Sequence, residues 1–366
     1  MGVYNSPVVL RKTSNVENVS VRPSAAESSS AKGARQSVAA AIIRGSSQRR
    51  RARANGPRAQ RYVAEQAKRR KLAHTPPINI SFPTPVPSSS TSKDVEMKDG
   101  TRPTSTTTVI LPRHLSRPTF KPVPHSRVAS IEPQLADLPI EYIQDKLAEL
   151  GPDMVKVLTS VEASTSTNTL PRELSILVQD LASDLPTHML AVYSRQPTGG
   201  RRRVTMYPTH SIVWAANCAT LPPLPSSHPS APDASPSARI TVPVVPLCLP
   251  DPASFPHLSS YIYAKRVDVL LAALFPSAPP SNLQGKDAAT EFAWALAREH
   301  NTAALVDAMT KVRGLWLNVC ALGIFDDGMW VAIDLAWEVL VNALSISVGA
   351  PLATASQADA PLRAQL

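Results

Sequence analysis

The chain has 366 residues, 36 of them proline, with aromatics at 5% and a formal net charge of +10. That length allows two ordinary domains, yet much of the 43% hydrophobic content is alanine, which buries little area, so one folded module behind an unstructured arm is expected. Three cysteines, Cys218, Cys248 and Cys320, exclude a closed disulfide framework, and their wide spacing excludes a structural zinc knot.

The first third lacks the bulky apolar residues that offset ordering entropy, so residues 1–130 are expected to form a disordered arm. The opening MGVYNSPVVLRKTS has no apolar stretch of signal-peptide quality, and the loose myristoylation match of Gly2 with Ser6 is too short to carry weight. Within residues 1–43, only Ala34–Ile43 has the composition to turn helical, in contact with a partner.

Charge is concentrated next. From Arg44 to Lys71 there are eleven Arg/Lys and one acid, Glu65, so this window alone carries +10 and the rest is near neutral. Segment 44–73 holds two basic groups: Arg49, Arg50, Arg51 and Arg53, then Lys68, Arg69, Arg70 and Lys71. KRRK followed by Leu72 is a nuclear-import pattern. Import receptors read extended basic chains through acidic, aromatic-lined grooves, so the implied partner is a nuclear-import receptor and the implied location is the nucleus. A solubilising charged tail is the bland reading, and weak nonspecific nucleic-acid contact by the same arm is the alternative. Pro57 limits any helix upstream, while Arg58–Leu72 has good helix formers. Residues 74–130 are rich in Pro, Ser and Thr and read as a linker of polyproline character.

Folded character is expected over 131–348. Ile140, Ile143, Leu147 and Leu150 are spaced for a helix that Asp137 or Pro139 starts and Gly151-Pro152 stops, with a short helix after it over Asp153–Ser160. Leu170–Tyr193 reads as helical in two parts, broken at Pro186. Beyond the turn at Gly199-Gly200, Val204–Trp214 alternates as a strand or hairpin, and ARITVPVVPLCL over Ala238–Leu249 is at best an edge strand because of its prolines. Between them, 221–238 is a low-complexity loop expected to be mobile.

Four helices follow: Ser259–Phe275, Lys286–His300, Thr302–Leu322, ended by Gly323, and one capped by Asp326 or Asp327. Their stripes, including Leu305, Met309, Val312, Trp316 and Val319, then Ile333, Trp337, Leu340 and Leu344, call for mutual packing. Trp294, Trp316, Trp330 and Trp337 all fall here and are expected in the core. Gly328–Val348 is the most apolar run, but Asp334, Glu338 and Asn342 share one face of it, so no membrane span is expected. The tail 349–366 should fray.

Chemistry-bearing patterns are weak. Asp326 and Asp327 sit where a helix start wants acids for capping, and Asp334 with Glu338 lacks a Glu-x-x-His companion for a metal. His74, His125 and His228 lie in Pro-rich stretches, His300 lies at a helix end, and only His210 and His257 look ordered. Each cysteine reads best as an inert buried thiol, though Cys218 and Cys248 flank the loop and could approach. The basic turn Arg201, Arg202 and Arg203 and the PPLP run over 222–225 read as solvated turn and composition. No phosphate-cradling glycine loop, metal-binding helix or hydrolase elbow is present. The reading is no enzyme, no catalytic residue, no metal and no cofactor.

The stretch PVVPLCLPDPASFPHLSSYIYAKRVDVLLAALFP resembles the core of the clampless protein family of basidiomycete fungi. WALAREHNTAALVDAMTKVRGLWLNVCALGIFDDGMWVAIDLAWEVL adds to the likeness, which covers about residues 130–348. The resemblance implies a nuclear regulator of sexual development, needed for clamp cell formation and the dikaryotic phase, downstream of mating-type homeodomain proteins. A relative in smut fungi is thought to act by binding transcription factors, so the implied partner is a transcription factor or another nuclear regulator. No homeodomain, zinc-finger or basic-zipper pattern occurs, which fits contact with proteins rather than base reading. The expected fold class is mainly α: a disordered basic and Pro-rich N-terminal arm, then a helical module with at most a small β element.

Overall fold

The computed structural model describes residues 38–49, 58–72, 77–84, 105–163, 169–195, 203–229, 237–283 and 285–349. In chain order the helices are α1 (Val38–Arg49), α2 (Arg58–Leu72), α3 (His125–Ile131), α4 (Ile140–Thr159), α5 (Ser211–Asn217), α6 (Phe255–Ala264), α7 (Val267–Leu274), α8 (Lys286–Glu299), α9 (Thr302–Leu322) and α10 (Asp327–Ser347). The strands are β1 (Ile78–Thr84), β2 (Ser105–Leu111), β3 (Val161–Ala163), β4 (Glu173–Val178), β5 (His188–Ser194), β6 (Val204–Thr209) and β7 (Ala238–Leu249). The protein is mainly helical, and all described residues belong to one compact unit, Gln36–Leu366.

The last three helices follow their spacing. Leu305, Met309, Val312 and Val319 of α9 are buried, as are Ile333, Trp337, Leu340 and Leu344 of α10. Gly323 ends α9 in the left-handed region at φ 63°, and the Asp326 carboxylate accepts the Met329 N–H at 2.9 Å to cap α10. Among the described helices α10 is the one long and apolar enough to cross a membrane, yet 72% of its most apolar window is buried inside the fold. Trp330 and Trp337 join the core, but Trp294 is 46% exposed on α8, contrary to expectation.

The β component is larger than the small element expected: a five-stranded sheet in the order β3-β4-β7-β5-β6. Leu170–Tyr193 is not helical but supplies β4 and β5. Alternation is visible in β4, where Leu174, Ile176 and Val178 are buried. In β5 it is not, because Met189 and Ala191 enter a small core with Ile176, Val178 and Ile240, while Leu190 and Val192 enter the main helical core. A strand covered on both faces shows one unbroken apolar run, which periodicity alone cannot separate from a buried helix.

Nor is β7 an edge. Ala238–Pro243 pairs antiparallel with β4, and Val244–Leu249 pairs parallel with β5. Each half therefore keeps one unpaired edge, where a missing N–H removes no ladder bond. The Val244 N–H donates to Arg172 O at 2.8 Å, so the adjacent Pro243 nitrogen faces away from β4. The buried side also changes along β7: Ala238, Ile240, Val242 and Val244 face the small core, and Val245, Leu247 and Leu249 face the main one.

Three helix boundaries differ from expectation. The helix expected to stop at Gly151-Pro152 runs on as α4, absorbing Asp153–Thr159. A Cβ at Gly151 would lie 1.9 Å from Tyr263 O, so glycine there serves close approach to the α6 backbone rather than termination. Ser259–Phe275 is two helices, broken at Lys265, whose φ of 52° is left-handed. The strand expected over Val204–Trp214 ends at Thr209, and the fully buried α5 completes it.

Within residues 1–130, expected as a disordered arm, the described residues include α1, α2, β1 and β2. Ala39 and Ile42 of α1 are buried in the main core, and the Ile42 carbonyl accepts from the Tyr142 hydroxyl at 3.0 Å. α1 therefore packs on the chain's own body, while residues 34–37 lie outside the described residues. β1 and β2 form an antiparallel hairpin, Ile78 opposite Leu111. Residues 112–124 follow as a Pro-rich strap without regular structure. Of the loop 221–238, residues 230–236 lie outside the described residues, as does the tail from Ala350; Leu221 is buried.

Candidate functional site

The strap meets α9, α10 and α2 through carbonyls that a Pro-rich extended chain leaves free, since it makes no internal hydrogen bonds. Trp337 Nε1 donates to Pro112 O at 2.9 Å, and Trp316 Nε1 donates to Ser116 O at 2.7 Å. The Tyr62 hydroxyl of α2 donates to Pro118 O at 3.1 Å, and Gln66 Nε2 donates to the same oxygen at 3.0 Å. Arg117 pairs with Asp334, their side chains 6% and 19% exposed. Its guanidinium lies 5.1 Å from the centroid of the Trp330 ring and 5.9 Å from that of Tyr62. Asp334, which shares one face of α10 with Glu338 and Asn342, is the counter-charge of a buried arginine. A cleft of about 560 Å³ opens beside this junction, lined by Arg61 and Glu65 of α2 and by Asp327, Asp334 and Glu338 of α10.

The start of α10 is tied to the middle of the chain. Lys265 Nζ donates to Asn217 Oδ1 at 2.8 Å and to Asp326 Oδ2 at 3.1 Å, and the Tyr261 hydroxyl donates to Asp326 Oδ1. Burial alone would raise the Asp326 carboxyl; the Lys265 ammonium, the Tyr261 hydroxyl and the Met329 N–H together hold it below its usual value. The expected capping role of Asp326 is observed, with a structural ion pair added. Asp327 is exposed in the first turn of α10. A second joint lies at α9. Asn318 Nδ2 donates to Asp251 O at 2.6 Å, its Oδ1 accepts from the Asp251 N–H at 3.0 Å, and Gly314 makes room for the Asp251 carboxylate.

The ordered histidines are structural. His210 is buried, with ring atoms 3.2 Å from the Tyr263 hydroxyl and 3.0 Å from Asp184 O. Burial pushes its value down to about 4 and the Tyr263 phenol up to about 12. His188 bridges Thr187 Oγ1 and Pro225 O, and burial lowers it too. His125 bonds Leu138 O at 2.7 Å; His257 and His300 are half-buried and His228 is exposed. Cys218 is a buried thiol raised to about 12 by desolvation, Cys320 is raised to about 11 for the same reason, and Cys248 is exposed; all three are free. Among the described residues no three His, Cys, Asp or Glu side chains gather in a geometry that could hold a metal. His74, Arg201 and Arg202 lie outside the described residues, and Arg203 is exposed.

Of the import residues, Arg50, Arg51 and Arg53 lie outside the described residues, Arg49 ends α1, and Lys68, Arg69, Arg70 and Lys71 lie in the last turns of α2. Sequence reasoning missed the strap. The available signal was indole groups needing acceptors in one segment and unpaired carbonyls between prolines in another.

Two family models match the chain: the clampless protein 1 N-terminal domain over residues 118–250 and the clampless protein 1 C-terminal domain over residues 268–365. No curated protein and no solved structure matches it. The first match begins inside the strap and ends with β7, and the second begins at the second residue of α7. Lys265, between the two matches, joins Asn217 of the first to Asp326 of the second within one fold. This domain identity links the chain to regulation of clamp-cell formation and sexual development. The chain thus carries, in order, two domains of the clampless protein 1 family.

Proposed function

We propose that this protein is a non-enzymatic nuclear regulator of sexual development and clamp-cell formation that acts by contact with transcriptional partners. The observation that carries the nuclear part is the charge distribution: the whole formal excess of +10 lies between Arg44 and Lys71. A near-neutral body has no general pull on polyanions, which favours protein partners over duplex DNA. The described polar constellations are spent on capping, on ion pairs and on buried histidine contacts, which supports a binding rather than a catalytic role. Changing Lys68, Arg69, Arg70 and Lys71 to Ala in the full chain is expected to move a tagged protein towards the cytoplasm; unchanged nuclear concentration would overturn the assignment.

The same clustered charge favours one alternative, direct phosphate contact by the basic segment. That reading requires duplex binding that weakens steeply with salt and disappears on deleting residues 44–71.

A further inference from the structure

We propose that docking of α2 on the helical body masks the KRRK stretch, and that undocking exposes it to its import receptor; this rests on reading Lys68–Lys71 as an import signal. Tyr62 is the one buried residue among the described side chains of α2, at 3% exposure. Its ring lies edge-on to Phe325 with centroids 5.0 Å apart, 5.7 Å from Phe120 and 6.4 Å from Trp330. One turn on, Gln66 donates to both Arg117 O and Pro118 O. Tyr62 and Gln66 thus clamp α2 to the strap, and the strap is itself fixed to α10 through Arg117 and Asp334.

Lys68 follows two residues after Gln66, and the helix continues through Leu72. A receptor groove for basic peptides takes an extended chain at roughly 3.3–3.6 Å per residue, whereas a helix rises about 1.5 Å per residue. The last turns of α2 must unwind to be read, and the Gln66 anchor opposes unwinding from its upstream side. Arg61 and Glu65 of α2 line the cleft that Asp327, Asp334 and Glu338 of α10 also line. A single aromatic anchor places α2 at the releasable end of the fold's local stabilities. The receptor's apparent affinity is reduced by the undocked fraction, so loosening α2 must tighten binding.

The test titrates a purified acidic-grooved import adaptor against four samples: the full chain, its Tyr62→Ala and Gln66→Ala variants, and a free peptide of residues 58–73. The peptide and Tyr62→Ala are expected to bind at least tenfold tighter than the unaltered full chain, about 1.4 kcal/mol. Gln66→Ala removes two hydrogen bonds from a half-buried position and is expected to tighten binding about threefold, so the test survives if Tyr62→Ala disturbs the body. A full chain that binds as tightly as the peptide, unaffected by either substitution, overturns masking while leaving the import reading intact. A peptide that does not bind overturns the import reading and masking with it.

Discussion

Replacing Asp334 by alanine should expose the cost of leaving Arg117 buried without its counter-charge. The Arg117 guanidinium is 6% exposed and its paired oxygen belongs to Asp334. Its Nε is buried without a hydrogen-bond partner. Removing one member of a buried pair costs about 3–5 kcal/mol, because the remaining charge keeps its desolvation penalty. Asp334 is 19% exposed, so water can reach the site, which places the expected loss near the lower end, about 3 kcal/mol. The rings of Trp330 and Tyr62 remain around Arg117 and hold it in place rather than releasing it to solvent. Urea unfolding followed by tryptophan fluorescence should show the midpoint fall with an unchanged slope. The double variant Arg117→Met with Asp334→Leu should recover to within about 1 kcal/mol of the parent, since a well-packed apolar pair can replace an ion pair. A loss under about 0.5 kcal/mol for Asp334→Ala would refute the burial argument, and failure of the double variant to recover would refute the account of its cause.

Gly151→Ala should destabilise by about 1–3 kcal/mol through overpacking against the Tyr263 carbonyl, whereas helix propensity alone predicts a gain of about 1 kcal/mol, so the sign of the change in chemical denaturation decides. Trp337→Ala removes a 3% exposed indole and its bond to Pro112 O and should cost about 3–5 kcal/mol; a change below about 0.5 kcal/mol would mean that the strap carries no weight. His210 is neutral in the fold because burial lowers it from 6.5 to about 4. The unfolded chain takes up the proton first, so this contribution is complete above pH 6.5 and is lost as pH falls from 6.5 towards 4, by about 3 kcal/mol. Comparing the pH dependence of the unfolding midpoint with that of His210→Gln checks it; identical slopes would contradict the assignment.

The C-terminal helices were legible because their boundaries have local causes: Gly323 ends α9 with its left-handed backbone, and Asp326 starts α10 with its capping oxygen. The family likeness was legible in the same stretch, over which two family models match. The sheet was not. β5 is covered on both faces and loses its alternation, and β7 carries prolines that a central strand tolerates only because its two halves pair on opposite sides. At Gly151 a breaker signal was really a packing signal, visible only once Tyr263 is known to lie against it. The strap shows the same limit. Proline density does forbid ladders, but it leaves carbonyls for Trp316, Trp337, Tyr62 and Gln66, whose partners lie some 50 to 225 positions away. Of the candidate site residues, Asp326 was placed correctly as a cap, while the pairing of Asp334 with Arg117 had no signal in either segment taken alone.

The measurement that tests the account most directly is complementation of clamp-cell formation in a strain lacking the protein. The strain would carry the full chain with Lys68, Arg69, Arg70 and Lys71 changed to Ala, with and without an unrelated import signal fused to it. The account predicts loss of clamp cells without the fused signal and their return with it, because the basic segment serves only as an address. Failure of the fused signal to restore clamp cells, with the protein concentrated in the nucleus, would contradict it and assign the basic segment a direct part in regulation.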